Sequence, residues 1–262
     1  MAGFMGGGTD SITTLVIACM DWRLNGPVDQ LKGRGDTVSL RNAGGNVLGL
    51  EDAINQALDQ YRNISKVVVM THDDCGAMKT VRDVIRGKLN VGADVREVLV
   101  EQFVGKVDEK YGDGEFLREL ESKNRKIQNA AIGAICAARQ LDVVDATQSV
   151  GSIKLPAHPP GEAEATLVIA RPSSRTTASL LGELGVSPYK AYVIEGDVAA
   201  LLPDMKVAVG LGVKNMVLYA AEGEAHDEAV RDKARIESAV PGAKVTVARS
   251  AGTTGKISKS TS

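Results

Sequence analysis

Cysteine is scarce in this chain, three in 262 residues, too few for a disulfide framework. Positive charge in excess is missing too. The formal net charge is −2 and the pI near 6.0, which leaves no basic footprint for nucleic acid and no polybasic patch for a membrane surface. Long apolar runs are absent, none nearing the ~18 residues of a spanning helix, and no charged-then-apolar leader opens the chain. A cytoplasmic protein acting on small molecules is the expectation these exclusions leave. The length suits one large α/β domain or two small ones, and is enough to bury a real core.

What is present is concentrated. Two of the three cysteines and one of the three histidines stand in two short clusters, Cys19-Met20-Asp21-Trp22-Arg23 and His72-Asp73-Asp74-Cys75-Gly76. Each follows a β-branched apolar run, Leu15-Val16-Ile17-Ala18 and Val67-Val68-Val69-Met70, so each is expected where a buried parallel strand delivers its C-terminal end. Ligands collect at that edge of an open α/β sheet. The third thiol, Cys136, lies with Ile132, Ile135 and Arg139 in a helical pattern and reads as a core residue.

Along the chain, a glycine-rich start (Gly6-Gly7-Gly8) precedes a strand instead of following one, the wrong order for a dinucleotide-binding turn. Strands are expected at about 13–18, 37–41, 66–71 and 141–146, and helices at about 25–33 and 50–62, the latter carrying Ala53, Ile54, Ala57, Leu58 and Tyr61 on one stripe. Residues 78–140 read as helical with glycine interruptions; Val95, Val98, Leu99 and Phe103 give one segment an apolar face, and the intervening charges read as a solvated one. Arg34-Gly35-Asp36 reads as turn chemistry. Leu155-Pro156-Ala157-His158-Pro159-Pro160-Gly161 breaks all periodicity, as a linker does.

After the linker the pattern restarts. Thr166-Leu167-Val168-Ile169-Ala170 repeats Thr14-Leu15-Val16-Ile17-Ala18 letter for letter, and Arg175 falls where Arg23 did. Residues 190–194, 214–220 and 244–248 can stand for the remaining strands. In this alignment Arg171 faces Cys19, Ser173 faces Asp21, Ala220 faces His72 and Gly223 faces Cys75, so every candidate metal ligand is missing from the second copy. A degenerate duplication is expected, the alternative being two unrelated α/β units that share a common strand.

Side chains spaced by two share a face of a strand, so Cys19, Asp21 and Arg23 are expected in one row. His72 ends the neighbouring strand, and Cys75 lies one tight turn later, where Gly76 lets the backbone pass close to a ligand. Three ligands can then meet one Zn²⁺ at roughly 2.0–2.3 Å with a fourth position open, as catalytic zinc requires. Two thiolates and a neutral imidazole cancel the ion's charge, so a bound water is acidified less than at three neutral ligands, yet hydroxide near neutral pH is still accessible. Asp21, held by Arg23, either accepts a hydrogen bond from that hydroxide or takes the fourth position itself until Arg23 captures it. Taken singly, Cys19 reads as a buried strand thiol, His72 as a hydrogen-bonded core histidine, and Asp21 with Arg23 as an ordinary ion pair; their joint placement favours a metal.

Cys19-x-Asp21-x-Arg23, Arg41-Asn42-Ala43-Gly44-Gly45 and His72-x-x-Cys75-Gly76 stand in the order and approximate spacing of the β-class carbonic anhydrases, which the chain resembles over about residues 11–155. The resemblance implies an α/β fold, a parallel sheet flanked by helices, and reversible hydration of CO2 to bicarbonate and a proton on zinc held by Cys19, His72 and Cys75. Asp21 and Arg23 would be the family's dyad, with water or Asp21 as fourth ligand. Gly44, Gly45, Val47 and Gly76 would line the substrate pocket. Family members form dimers in which the partner subunit walls each active site. The expected organisation is therefore a catalytic unit over 1–155, a linker over 156–164, and a metal-free repeat over 165–262 acting as an internal partner, with further homo-oligomerisation open. The insertion between 79 and 125 reads as a lid or an oligomer contact.

Two rival readings use the same residues. Hydrolysis of CS2 or carbonyl sulfide needs the same nucleophile and differs in access to it. A zinc-stabilised scaffold without activity would close the site with a fourth protein ligand and would need no Asp21–Arg23 dyad. Thiol redox chemistry is weaker still, because Cys19 and Cys75 lie on separate strands and a metal would mask both.

Overall fold

The computed structural model describes residues 11–90, 96, 98–106, 112–153, 164–220, 226–249 and 259–260. The N-terminal half runs β1 (Thr14–Cys19), α1 (Asn25–Lys32), β2 (Thr37–Asn42), α2 (Glu51–Gln60), β3 (Lys66–Met70), α3 (Gly76–Ile85), α4 (Asp113–Arg139) and β4 (Asp142–Asp145). The C-terminal half runs β5 (Thr166–Ala170), α5 (Thr177–Leu184), β6 (Ala191–Glu195), α6 (Leu202–Gly210), β7 (Asn215–Ala220), α7 (His226–Ala239), β8 (Lys244–Arg249) and β9 (Lys259–Ser260). All nine strands belong to one sheet, ordered β4-β3-β1-β2-β6-β5-β7-β8-β9. The glycine-rich start and most of the expected linker lie outside the described residues, as do Val95 and the side chain of Val98.

Strands β1–β4 run parallel to one another, as do β5–β8, and β9 adds antiparallel to β8 at the sheet edge. The order β4-β3-β1-β2 is met head-on by its mirror, β6-β5-β7-β8, and the two halves join antiparallel where Arg41 of β2 stands opposite Glu195 of β6. Helices cover the sheet, so β1 is buried along its whole length and tolerates no alternation of polar residues. One apolar core takes in residues of both halves, among them Leu15, Ile17, Val69, Ile169, Ile194 and Val245. Cys136 is fully buried on α4 and is a free thiol.

The ladders correct the repeat alignment by one residue. Thr14 pairs with Lys66, and Thr166 pairs with Asn215 rather than Lys214. The position matching His72 is thus Ala221 and that matching Cys75 is Glu224, both outside the described residues. Arg171 keeps its place opposite Cys19, since Thr14–Ala18 and Thr166–Ala170 hold equivalent positions in their ladders.

The join between the halves is rich in buried polar contacts. The Lys32 ammonium, sealed from solvent, lies 2.8 Å from a Glu195 carboxylate oxygen, and the Ser39 hydroxyl donates to the other oxygen. Asp29 of α1 accepts from the Thr177 and Ala178 amides at 2.5 and 2.8 Å, capping the first turn of α5. Asn25 Nδ2 donates to the Ala191 carbonyl at 3.0 Å, and the Val193 amide to the Met20 carbonyl at 3.1 Å. No described helix is long and apolar enough to cross a membrane.

Candidate metal centre

β1 ends at Cys19 and the chain leaves β3 toward His72, which makes an isolated parallel bridge with Gln148. Cys75 immediately precedes α3, at its N-cap position. Ligand atoms of Cys19, His72 and Cys75 lie within 4.8 Å of one another, and all three residues are buried. Cys19 Sγ and Cys75 Sγ are 3.8 Å apart. Two sulfurs 2.3 Å from one ion at a tetrahedral angle would stand about 3.8 Å apart, so the pair is spaced for shared coordination.

The histidine is prepared in the same way. Its Nδ1 lies 2.8 Å from the Asp73 carbonyl and donates to it, which puts the ring proton on Nδ1 and leaves the Nε2 lone pair free. Nε2 is buried and has no hydrogen-bond partner. An orphaned acceptor beside two sulfurs is the donor set that Zn²⁺ takes. Burial opposes charge on Cys19, but hydrogen bonding from the Cys75 thiol and the nearby His72 ring hold Cys19 well below the ordinary thiol range. The same hydrogen bond, together with burial, pushes Cys75 up. Burial works against charge on His72 as well, and the negative Cys19 outweighs it, so its value is raised.

Arg23 does not share a strand face with Asp21 and Cys19 as expected. After Cys19 the chain turns into a 3-10 helix over Trp22–Leu24, with Asp21 as its cap accepting from the Arg23 amide at 3.0 Å. The dyad forms nonetheless, because the helical turn folds Arg23 back: Nε donates to Asp21 Oδ1 at 2.9 Å and Nη2 to Oδ2 at 2.7 Å. Burial would raise the Asp21 carboxyl, yet this two-point grip holds it below its usual range. Asp21 Oδ2 stands 3.8 Å from His72 Nε2, facing the same space. Asp74 completes the group by accepting from Arg23 Nη1 at 2.9 Å through its side chain and from Nη2 at 2.8 Å through its carbonyl.

The Arg41–Gly45 segment packs against the end of β1. Fully buried Arg41 donates to the Cys19 and Asp21 carbonyls, fixing the path of the chain as it leaves β1. The Gly44 amide donates to Cys19 Sγ at 3.2 Å, and a Cβ on Gly44 would lie 2.7 Å from the Phe103 ring. A Cβ on Gly45 would sit 3.4 Å from the Cys19 nitrogen. Val47 is fully buried and donates its amide to Gln128 Oε1 at 2.8 Å. Gly76 faces the Leu211 side chain of the C-terminal half, 3.1 Å from where its Cβ would be. Tyr192 of β6 is pushed up to about 12 by burial and then by the negative Asp21, with smaller contributions from the Cys19 and Cys75 sulfurs.

Sequence reasoning missed the brace behind these loops. The buried stripe of α4 is Phe116, Leu120, Asn124, Gln128, Ile132 and Cys136. Asn124 Nδ2 donates to the Gly44 carbonyl at 2.9 Å, Gln128 holds Val47 and the Gln102 carbonyl, and Glu121 Oε1 accepts from the Cys75 amide at 2.9 Å. The long insertion therefore supports the site through α4. Two amides at core spacing inside an apolar stripe were the signal available.

A sequence model of the family described as carbonic anhydrase matches residues 14–152, all in the N-terminal half. The chain belongs to the β-class carbonic anhydrases. No curated protein matched the chain in sequence. Similar solved structures include the β-carbonic anhydrase CafA of Aspergillus fumigatus (20% identity, 55% of this chain and 73% of that one, TM-score 0.40) and a carbonic anhydrase of Streptococcus mutans (22%, 57% and 84%, TM-score 0.36). A carbon disulfide hydrolase is a further neighbour (17%, 55% and 78%, TM-score 0.32).

Proposed function

We propose that this protein binds one Zn²⁺ through Cys19, His72 and Cys75 and catalyses the reversible hydration of CO2, CO2 + H2O ⇌ HCO3⁻ + H⁺. When bound, the ion supplies the Lewis acidity that makes a nucleophile from water near neutral pH. Asp21 accepts a hydrogen bond from the attacking solvent molecule through Oδ2 and aims its remaining lone pair at carbon. Arg23 keeps Asp21 deprotonated and in place, and its two-point grip favours a carboxylate that stays with Arg23 over one that takes the fourth ligand position. The C–O bond forms as the nucleophile adds to carbon, and the proton lost from water passes to solvent. The observation that carries the reading is the unpartnered, buried His72 Nε2 beside two sulfurs 3.8 Å apart, with a locked Asp21 on the same side.

The C-terminal half takes the place of a partner subunit in this reading. It presents Leu211 against Gly76, as a second subunit would wall the site. Stopped-flow CO2 hydration across pH 6–9, with carbonyl sulfide and CS2 run in parallel and Asp21→Ala as control, tests the assignment. Zinc-dependent hydration that falls in the variant is expected. Turnover of the sulfur substrates alone favours a hydrolase, and no zinc-dependent rate on any substrate leaves a scaffold.

A further inference from the structure

The Cys19 sulfur depends on a peptide that the C-terminal half holds. Its donor is the Gly44 amide, in a turn where Gly44 and Gly45 both have φ of +66° and Gly44 is pressed on Phe103. Such a turn keeps its direction only where its polar groups are anchored. Asn124 anchors the Gly44 carbonyl from α4. The preceding amide, Ala43 N, donates at 2.9 Å to Oδ1 of Asp204, in the first turn of α6 across the join between the halves. Asp204 is 6% exposed, and burying a carboxyl is costly.

We propose that Asp204 is a positioning residue for the metal centre: it seats the Ala43–Gly44 turn from the C-terminal half so that the Gly44 amide donates to Cys19 Sγ. The inference rests on the reading of Cys19, His72 and Cys75 as a zinc site. An N–H···S bond to a ligating thiolate draws charge from the sulfur and fixes its direction, which sets how tightly the ion is held. The role asks only for an acceptor oxygen at the Oδ1 position. Burial raises the Asp204 carboxyl to about 7, consistent with a group whose charge is not what the turn uses. An amide at this position should therefore serve, and an apolar side chain of similar size should not.

The full-length chain, as wild type, Asp204→Asn and Asp204→Leu, would be loaded with zinc and separately with cobalt. Two readouts follow: the rate of zinc loss to excess chelator, and the thiolate-to-cobalt charge-transfer band. The Leu variant is expected to release zinc about tenfold faster and to shift the band, with the Asn variant within about twofold of wild type. A folded Leu variant with wild-type release and an unshifted band overturns the proposal. Should the Leu variant fail to fold, Ala43→Pro deletes the donor instead, at the first position of a helical turn where proline is accepted, and the same two outcomes decide. A wild-type chain that takes up neither ion overturns the zinc reading and the proposal with it. A wild-type site that loads normally beside indifferent variants overturns the proposal alone.

Discussion

β1 and β5 share the same five residues, Thr-Leu-Val-Ile-Ala, and the same place in their ladders, yet they end differently. β1 delivers Cys19, and the loop beyond it supplies an aspartate clamped by an arginine. At the matching point β5 delivers Arg171, whose guanidinium lies 2.8 Å from Glu228, 3.3 Å from Asp232 and 3.4 Å from Asp197. A cation belonging to the chain itself stands where the first half offers a sulfur. Three carboxylates around one guanidinium make a satisfied structural knot. The strand is a delivery device common to both halves, and the chemistry resides in the few residues past its end.

The comparison breaks most decisively at the ligands. Cys19→Ser and His72→Ala should each abolish zinc retention and lower CO2 hydration more than about a hundredfold, as metal analysis and stopped-flow kinetics would record. Arg171→Ala should leave both unchanged and lower only the melting temperature. The join comes next. Lys32→Met strands the buried Glu195 carboxylate and should destabilise the fold by about 3 kcal/mol or more, measured by denaturant titration; Lys32→Met with Glu195→Leu should recover much of that loss.

Asp21→Ala should lower kcat about a hundredfold while zinc stays bound. The Asp21 carboxyl is held below its usual range, so its stabilisation is complete above the unfolded value of about 3.9 and lost as pH falls through the lower folded value. The variant should thus lose little further stability on acidification, and its kinetic defect should be uniform from pH 6 to 9. Asp204 has the opposite sign. Raised to about 7, it favours the fold fully below its unfolded value, and that contribution is lost as pH climbs through about 7. Asp204→Asn should flatten the melting temperature over pH 4–7. The smallest effect is expected of Glu121→Gln, which keeps an acceptor for the Cys75 amide and should change zinc release only about twofold.

Much of the architecture is legible in the sequence. Buried parallel strands write themselves as unbroken apolar runs such as Val67-Val68-Val69-Met70, and the restart at Thr166 announced the second set of strands. That Cys19, His72 and Cys75 come together was legible because cysteine and histidine are rare enough here for two clusters to stand out. Arg23 was placed on the wrong element, because strand alternation was carried past Cys19 into residues that fold as a 3-10 turn; the pairing with Asp21 survived because an arginine is long enough to fold back. Glu121, Asn124 and Gln128 escaped notice because polar residues on a long helix look like its solvated side until the packing is known. Glu195 and Asp204 lie more than 150 residues from Ser39 and Ala43, the groups they hold, and contacts of that range leave no local pattern.

The most direct test is zinc per chain in the purified full-length protein, set beside Cys19→Ser. One zinc per wild-type chain, lost in the variant, is the predicted result. Two per chain, or one that survives the loss of Cys19, would contradict a single metal centre built by the N-terminal half.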